Sequence, residues 1–167
     1  VNEFFFKDTV YVSDKQSQEE VFEEVYQDLL KKELVTEDFL ENLLERERNY
    51  PTGLDLSPVS KILPDIAIPH TESEFVRTTR IIPIKVKNEI PFYNMISPSD
   101  QISASFLFMI LNENGEAQAG MLANIMDFIN SVDEEKLFSF FKLEDTEAIY
   151  HFLEEHFIYR SLCLTAG

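Results

Sequence analysis

The chain has 167 residues, 44% hydrophobic and 13% aromatic, enough to enclose one core, and it is read as a single domain over 1–167. Lys and Arg total 14 against 31 Asp and Glu, and the net charge of -17 disfavours nucleic acid and anionic membrane surfaces as partners. Cys163 stands alone, so an internal disulfide and a C-x-x-C pair are excluded, as suits a reducing, cytoplasmic compartment; the longest apolar stretch, Phe106 to Leu111, is far too short to span a bilayer.

In chain order, the aromatic opening leads into a predicted strand over Thr9 to Val12. Ser17 and Glu20 form an S-x-x-E capping pattern, and Val21, Val25 and Leu29 recur at i+4, predicting an amphipathic helix to about Leu34. Thr36 is the expected cap of a second helix with Phe39, Leu40, Leu43 and Leu44 on its apolar face, which must stop before Pro51. Residues 51–64 read as irregular, and Ile66 to Ile68 as a short strand ending at Pro69-His70. Ile81 to Val86, a weaker Ile90 to Tyr93, and Ala104 to Leu111 are further strands, the last with the continuous apolar character of a strand buried on both faces. After Gly115 the pattern is helical to the end, in segments around Met121 to Ile129, Leu137 to Phe141 and Ile149 to Phe157. Strands interleaved with helices and closed by helices predict an α/β sandwich, a central mixed sheet flanked by helices.

Only four glycines are present, scattered through the chain, so there is no glycine-rich phosphate cradle and no nucleotide site is indicated. No cofactor is implied. None of the three histidines has metal-helix spacing or a cysteine partner, so no metal site is expected. His151 and His156 lie on the acidic last helix, where an imidazole is an ordinary surface group. His70 differs, because it follows an apolar strand and a proline and so belongs at a strand end, where α/β folds form their crevices.

The segments RERNYPTGL (46–54) and DIAIPHTE (65–72) together resemble the enzyme IIA proteins of the bacterial sugar phosphotransferase system, of the fructose, mannitol and galactitol type. The resemblance extends over nearly the whole chain in length and element order. It implies that His70, in the A-I-P-H element, accepts the phosphoryl group, and that Arg46 of the Arg46-Glu47 pair, rather than Arg48, stands beside it. It also implies the phosphocarrier protein HPr as donor and a cysteine of an enzyme IIB as acceptor. The Y-P-T-G form looks most like the galactitol-type branch. Mannitol and fructose members often carry a second histidine where this chain has Gly115, a departure that points the same way. Gln118 is left between a neutral hydrogen-bonding role there and an ordinary place on the helix surface. An alternative is a regulatory module that signals its phosphorylation state to a transcription factor or transporter.

An imidazole suits this relay because it is neutral at physiological pH yet leaves readily once phosphorylated. One ring nitrogen should donate to a backbone carbonyl, leaving the other, Nε2 in the family, for phosphorus. Arg46 offers a planar fork to two phosphoryl oxygens, and Thr71 or Thr52 is the candidate hydroxyl for the third.

Overall fold

Ser17 begins the first helix as the S-x-x-E pattern requires. Its Oγ accepts the Glu20 N–H at 3.2 Å and donates to the Glu20 carboxylate at 2.9 Å. In the computed structural model, which describes residues 3–157, this helix, α1, runs from Gln18 to Lys31. It stops three residues short of the expected Leu34 because Glu33 takes the left-handed conformation, with φ 60°. The Leu34 N–H reaches back to the Leu29 carbonyl and the Glu33 N–H to that of Leu30, closing a Schellman turn around a residue that is not glycine.

The second helix, α2 (Phe39–Asn49), ends before Pro51 as expected, but Thr36 does not cap it. The Thr36 N–H is bound to the Phe75 carbonyl and Val35 bridges Val76, so residues 35–36 are held extended and the helix starts only after Asp38.

The sheet has the order β1-β4-β5-β3-β2, with β1 (Tyr11–Ser13), β2 (Gly53–Leu54), β3 (Asp65–Ala67), β4 (Arg80–Tyr93) and β5 (Gln101–Leu111). The β1–β4 and β3–β5 pairs are parallel and the β4–β5 and β2–β3 pairs antiparallel, so the sheet is mixed as anticipated. Two sequence segments, Ile81 to Val86 and Ile90 to Tyr93, prove to be one long strand. Its register slips against β5 between Lys85 and Ile90, which is where the apolar pattern weakens. The first strand lies slightly later than read, after a 3-10 turn at Lys7–Thr9, and β2 arises within the stretch read as irregular.

Period-two alternation divides the sheet between two cores. On one face Ile82, Ile84 and Val86 of β4, with Leu107, Met109 and Leu111 of β5, pack beneath α1 and α2 against Phe22, Leu29, Phe39 and Leu43. On the other, Phe106, Phe108 and Ile110 of β5 and Ile66 of β3 lie under α3 (Gln118–Ser131), α4 (Glu134–Phe141) and α5 (Thr146–His156). Both faces of β5 are therefore covered from Phe106 to Leu111. Each of those large side chains contributes on the order of 1.5–3 kcal/mol by leaving water. A 3-10 turn at Gly115–Ala117 carries the chain from β5 into α3, so the α-helix begins two residues later than the expected Glu116.

Candidate functional site

The end of β3 carries the histidine. Beyond Ala67 the chain keeps its parallel course beside β5: the Ile110 N–H donates to the Pro69 carbonyl at 3.0 Å, and His70 bridges Ile110. Proline at 69 fixes its own φ and offers only a carbonyl, and that carbonyl is the group β5 uses. His70 thus stands at a strand end, as its sequence context indicated. Its Nδ1 lies 2.9 Å from the Ile68 carbonyl. That contact fixes the proton on Nδ1 and leaves the Nε2 lone pair unengaged by any described residue. Nε2 is thus the ring nitrogen left with a lone pair to share.

A cleft of about 430 Å³ opens beside the ring, lined by Ile68, Met95, Ile110, Gly115, Gln118 and Leu122 among others. Its wall is largely apolar, and burial pushes the His70 pKa below the usual imidazole value, with the positive charge of Arg46 adding to the fall and the Ile68 contact opposing it. A neutral ring is what a nucleophilic imidazole requires.

Arg46 lies on the last turns of α2, and the helix brings it to the histidine loop. Asn42, one turn earlier, accepts the Glu72 N–H at 3.1 Å, and Arg46 Nη1 lies 3.9 Å from the Glu72 carboxylate. The guanidinium also sits over the Tyr50 ring. Its Nε is buried with no acceptor in reach, so the fork retains donor capacity. Arg48 takes another direction. It is exposed and lines a separate groove of about 450 Å³ with Gln16, Ser17, Glu19 and Tyr93, a groove that holds no histidine.

The candidate hydroxyls are both engaged. Thr52 is buried and its Oγ1 donates to Glu47 Oε1 at 2.6 Å, while its N–H donates to Glu47 Oε2 at 2.7 Å. Thr71 is buried too, and its Oγ1 donates to the Glu72 carbonyl at 2.9 Å. Gln118 borders the cleft at the start of α3. Sequence reasoning gave no part to Glu47, the second member of the arginine-glutamate pair. The only signal for it was its separation from Thr52 by five residues across a helix end and a proline.

His151 and His156 do not line this cleft; they lie on α5, where the His156 ring rests 4.3 Å from that of Phe152 and His151 is exposed. Among the described residues no three His, Cys, Asp or Glu side chains gather as metal ligands, and no helix is long and apolar enough to cross a membrane. Cys163 lies outside the described residues.

The family described as phosphoenolpyruvate-dependent sugar phosphotransferase system, EIIA 2, matches residues 3–156. The chain belongs to this family. Solved structures of similar shape include the IIA mannitol protein of Escherichia coli, with TM-score 0.67, 16% identity, and coverage of 89% of this chain and 98% of that one. The complex of enzyme IIA and phosphorylated enzyme IIB for mannitol from Escherichia coli follows at TM-score 0.62 and 18% identity, covering 90% of this chain and 94% of the other. The nitrogen regulatory protein IIA-Ntr of Neisseria meningitidis has TM-score 0.58 and 19% identity, with 88% and 94% covered. At these identities the likeness establishes the shared fold. No curated protein matches the sequence.

Proposed function

We propose that this enzyme IIA chain is a cytoplasmic histidine phosphocarrier that takes a phosphoryl group onto His70 Nε2 from phospho-HPr and passes it to a cysteine of an enzyme IIB. The observation that carries this reading is the commitment of Nδ1 to the Ile68 carbonyl beside a largely apolar cleft, which leaves Nε2 as the one ring atom with a lone pair to give. In the first step that lone pair forms the P–N bond as the bond to the donor histidine breaks, and the donor nitrogen keeps the electron pair. In the second, a thiolate forms the P–S bond and Nε2 recovers its lone pair. Family membership and the mannitol IIA–IIB complex of the same fold support an enzyme IIB as the partner.

The transferring group carries its charge on three outer oxygens, so catalysis depends on placed donors. Arg46, with Nε unpaired, a long contact to Glu72 and its guanidinium over the Tyr50 ring, is the side chain from which we expect donors to those oxygens. Thr52 and Thr71 support the backbone in the resting state, and Thr71, adjoining His70, would have to release the Glu72 carbonyl to reach an oxygen. Gln118, which lines the cleft with His70, is the neutral side chain that could donate there.

We further propose the galactitol-type branch. Two positions support it: Gly53 in the Y-P-T-G element, and Gly115 on the cleft wall, where a Cβ would meet only Ser73 Oγ at 3.6 Å. Glycine at 115 is thus not forced by crowding, and its presence in place of a histidine is a difference of chemistry.

Incubation with enzyme I, HPr and phosphoenolpyruvate, followed by mass spectrometry, tests the reading. One added phosphoryl group on His70 is expected, transferable to a galactitol-type enzyme IIB. Labelling at His151 or His156, or none at all, would refute it. Transfer to no enzyme IIB from a chain that labels at His70 would favour the regulatory alternative.

A further inference from the structure

Among the described residues Glu47 is the one buried carboxylate, and no lysine or arginine pairs with it. A buried charge without a counter-ion is costly unless hydrogen bonds replace its water. Burial does raise its pKa, and the two bonds from Thr52 oppose that rise. Building on the phosphocarrier reading, we propose that Glu47 is a positioning residue: its carboxylate clamps Thr52 and, through Thr52 and Ile68, sets the imidazole of His70 with Nε2 facing the cleft.

The path is continuous. Glu47 holds Thr52 by its N–H and its hydroxyl, at 2.7 and 2.6 Å. The Thr52 carbonyl accepts the Ile68 N–H at 3.2 Å, and the Ile68 carbonyl faces His70 Nδ1 at 2.9 Å. The coupling is mechanical, because the N–H and the C=O of Thr52 belong to different peptide units and no polarisation runs through them. Its opposite side is also fixed. Gly53, next in the chain, packs so closely that a Cβ would lie 2.6 Å from the Tyr93 carbonyl, and its own carbonyl accepts the Met95 N–H at 2.8 Å. Thr52 therefore cannot retreat from the clamp toward the β4–β5 end.

Glu47 adjoins Arg46 on the same turn of α2. One carboxylate thus ties the arginine-bearing helix to the histidine-bearing strand and sets the distance between cation and nucleophile. Displacements of about 1 Å at such a site cost up to about a hundredfold in rate.

The test uses the full chain labelled with 15N, with the imidazole tautomer read by two-bond 1H–15N NMR in the absence of any phosphoryl donor, and transfer from phospho-HPr measured in parallel. The native chain is expected to hold its proton on Nδ1. Glu47→Ala should admit the Nε2–H tautomer and slow transfer by about ten- to a hundredfold. Glu47→Gln preserves the side chain's volume but has one acceptor oxygen for two donors. It should fall between, and it decides the matter if the alanine variant does not fold. Thr52→Val, which keeps the N–H bond, should lose less than Glu47→Ala. A native tautomer ratio in Glu47→Gln, or in folded Glu47→Ala, would overturn the proposal. The NMR measurement needs no phosphoryl transfer, so a native chain that never labels at His70 counts against the phosphocarrier reading, while the tautomer ratio alone decides the clamp.

Discussion

The guanidinium carbon of Arg46 lies 4.7 Å from the centre of the Tyr50 ring, and that contact, together with the 3.9 Å approach of Nη1 to the Glu72 carboxylate, holds the arginine beside the histidine loop. Arg46→Lys should slow phosphoryl transfer by about tenfold or more, because an ammonium cannot present a planar fork to two oxygens. Arg48→Lys, in its separate groove, should leave the rate within about twofold, as befits an exposed surface change. Tyr50→Ala removes an exposed cation–π contact worth about 0.5–1 kcal/mol and should cost about two- to fivefold. Single-turnover transfer from phospho-HPr measures all three, and equal rates for the two lysine variants would exclude the assignment of Arg46.

His70→Ala should abolish labelling without unfolding the domain, since the ring is only half-buried and the strand beside it is held by backbone bonds from Pro69 and Ile68. His151→Ala and His156→Ala should label as the native chain does. Mass spectrometry of the intact protein, with circular dichroism to confirm folding, distinguishes these outcomes.

Because the His70 pKa is depressed by burial and by Arg46, the folded state binds fewer protons there than the unfolded chain. Its contribution to stability is therefore fully present above the unfolded value of about 6.5 and is lost as pH falls through the lower folded value. His70→Gln should flatten that part of the stability curve, and Arg46→Met should raise the imidazole pKa by removing the repelling cation. NMR titration of the ring reads the second effect directly; an unchanged midpoint in Arg46→Met would contradict it.

Two backbone positions should respond in opposite directions. Glu33 occupies the left-handed region that glycine enters freely, so Glu33→Gly should stabilise the fold by about 1 kcal/mol. Gly53→Ala would drive a Cβ to 2.6 Å from the Tyr93 carbonyl and 2.8 Å from Ile102 Cγ1, and should destabilise by about 1–3 kcal/mol. Denaturant unfolding of the two variants against the native chain checks both signs.

Much of the fold was legible because hydrophobic spacing is long-range information written locally. The capping pair Ser17 and Glu20, the stop before Pro51 and the unbroken apolar run of β5 each report their own structure. What escaped depends on contacts between distant segments. β2 is two residues long, too short to show a period, and is defined by its pairing with Ala67 and Ile66 and by the bridge from Gly53 to Asn94. The failure of Thr36 as a cap follows from Phe75, far along the chain, taking its N–H. At the candidate site, His70 was visible through its motif and its strand-end setting. The bonds that occupy Thr52 and Thr71 were not, since a threonine's local sequence does not reveal that a buried glutamate or a neighbouring carbonyl has claimed its hydroxyl.

The carbonyl of Ile68 holds Nδ1, the nitrogen that the proposed phosphoryl transfer would not use, and this has a bearing on how partners would tell one state of such a carrier from the other. None of the Nδ1 contact, the Pro69–Ile110 bond and the Thr52–Ile68 bond involves Nε2, so a phosphoryl group placed there would displace none of them. The loaded and empty proteins of the proposed relay would then share one backbone outline and differ in local charge, with Arg46 drawn from Glu72 toward the new dianion. A donor and an acceptor meeting the same surface would sort the two states by electrostatic potential rather than by shape, and the discrimination between them should fade as added salt shortens the reach of that potential.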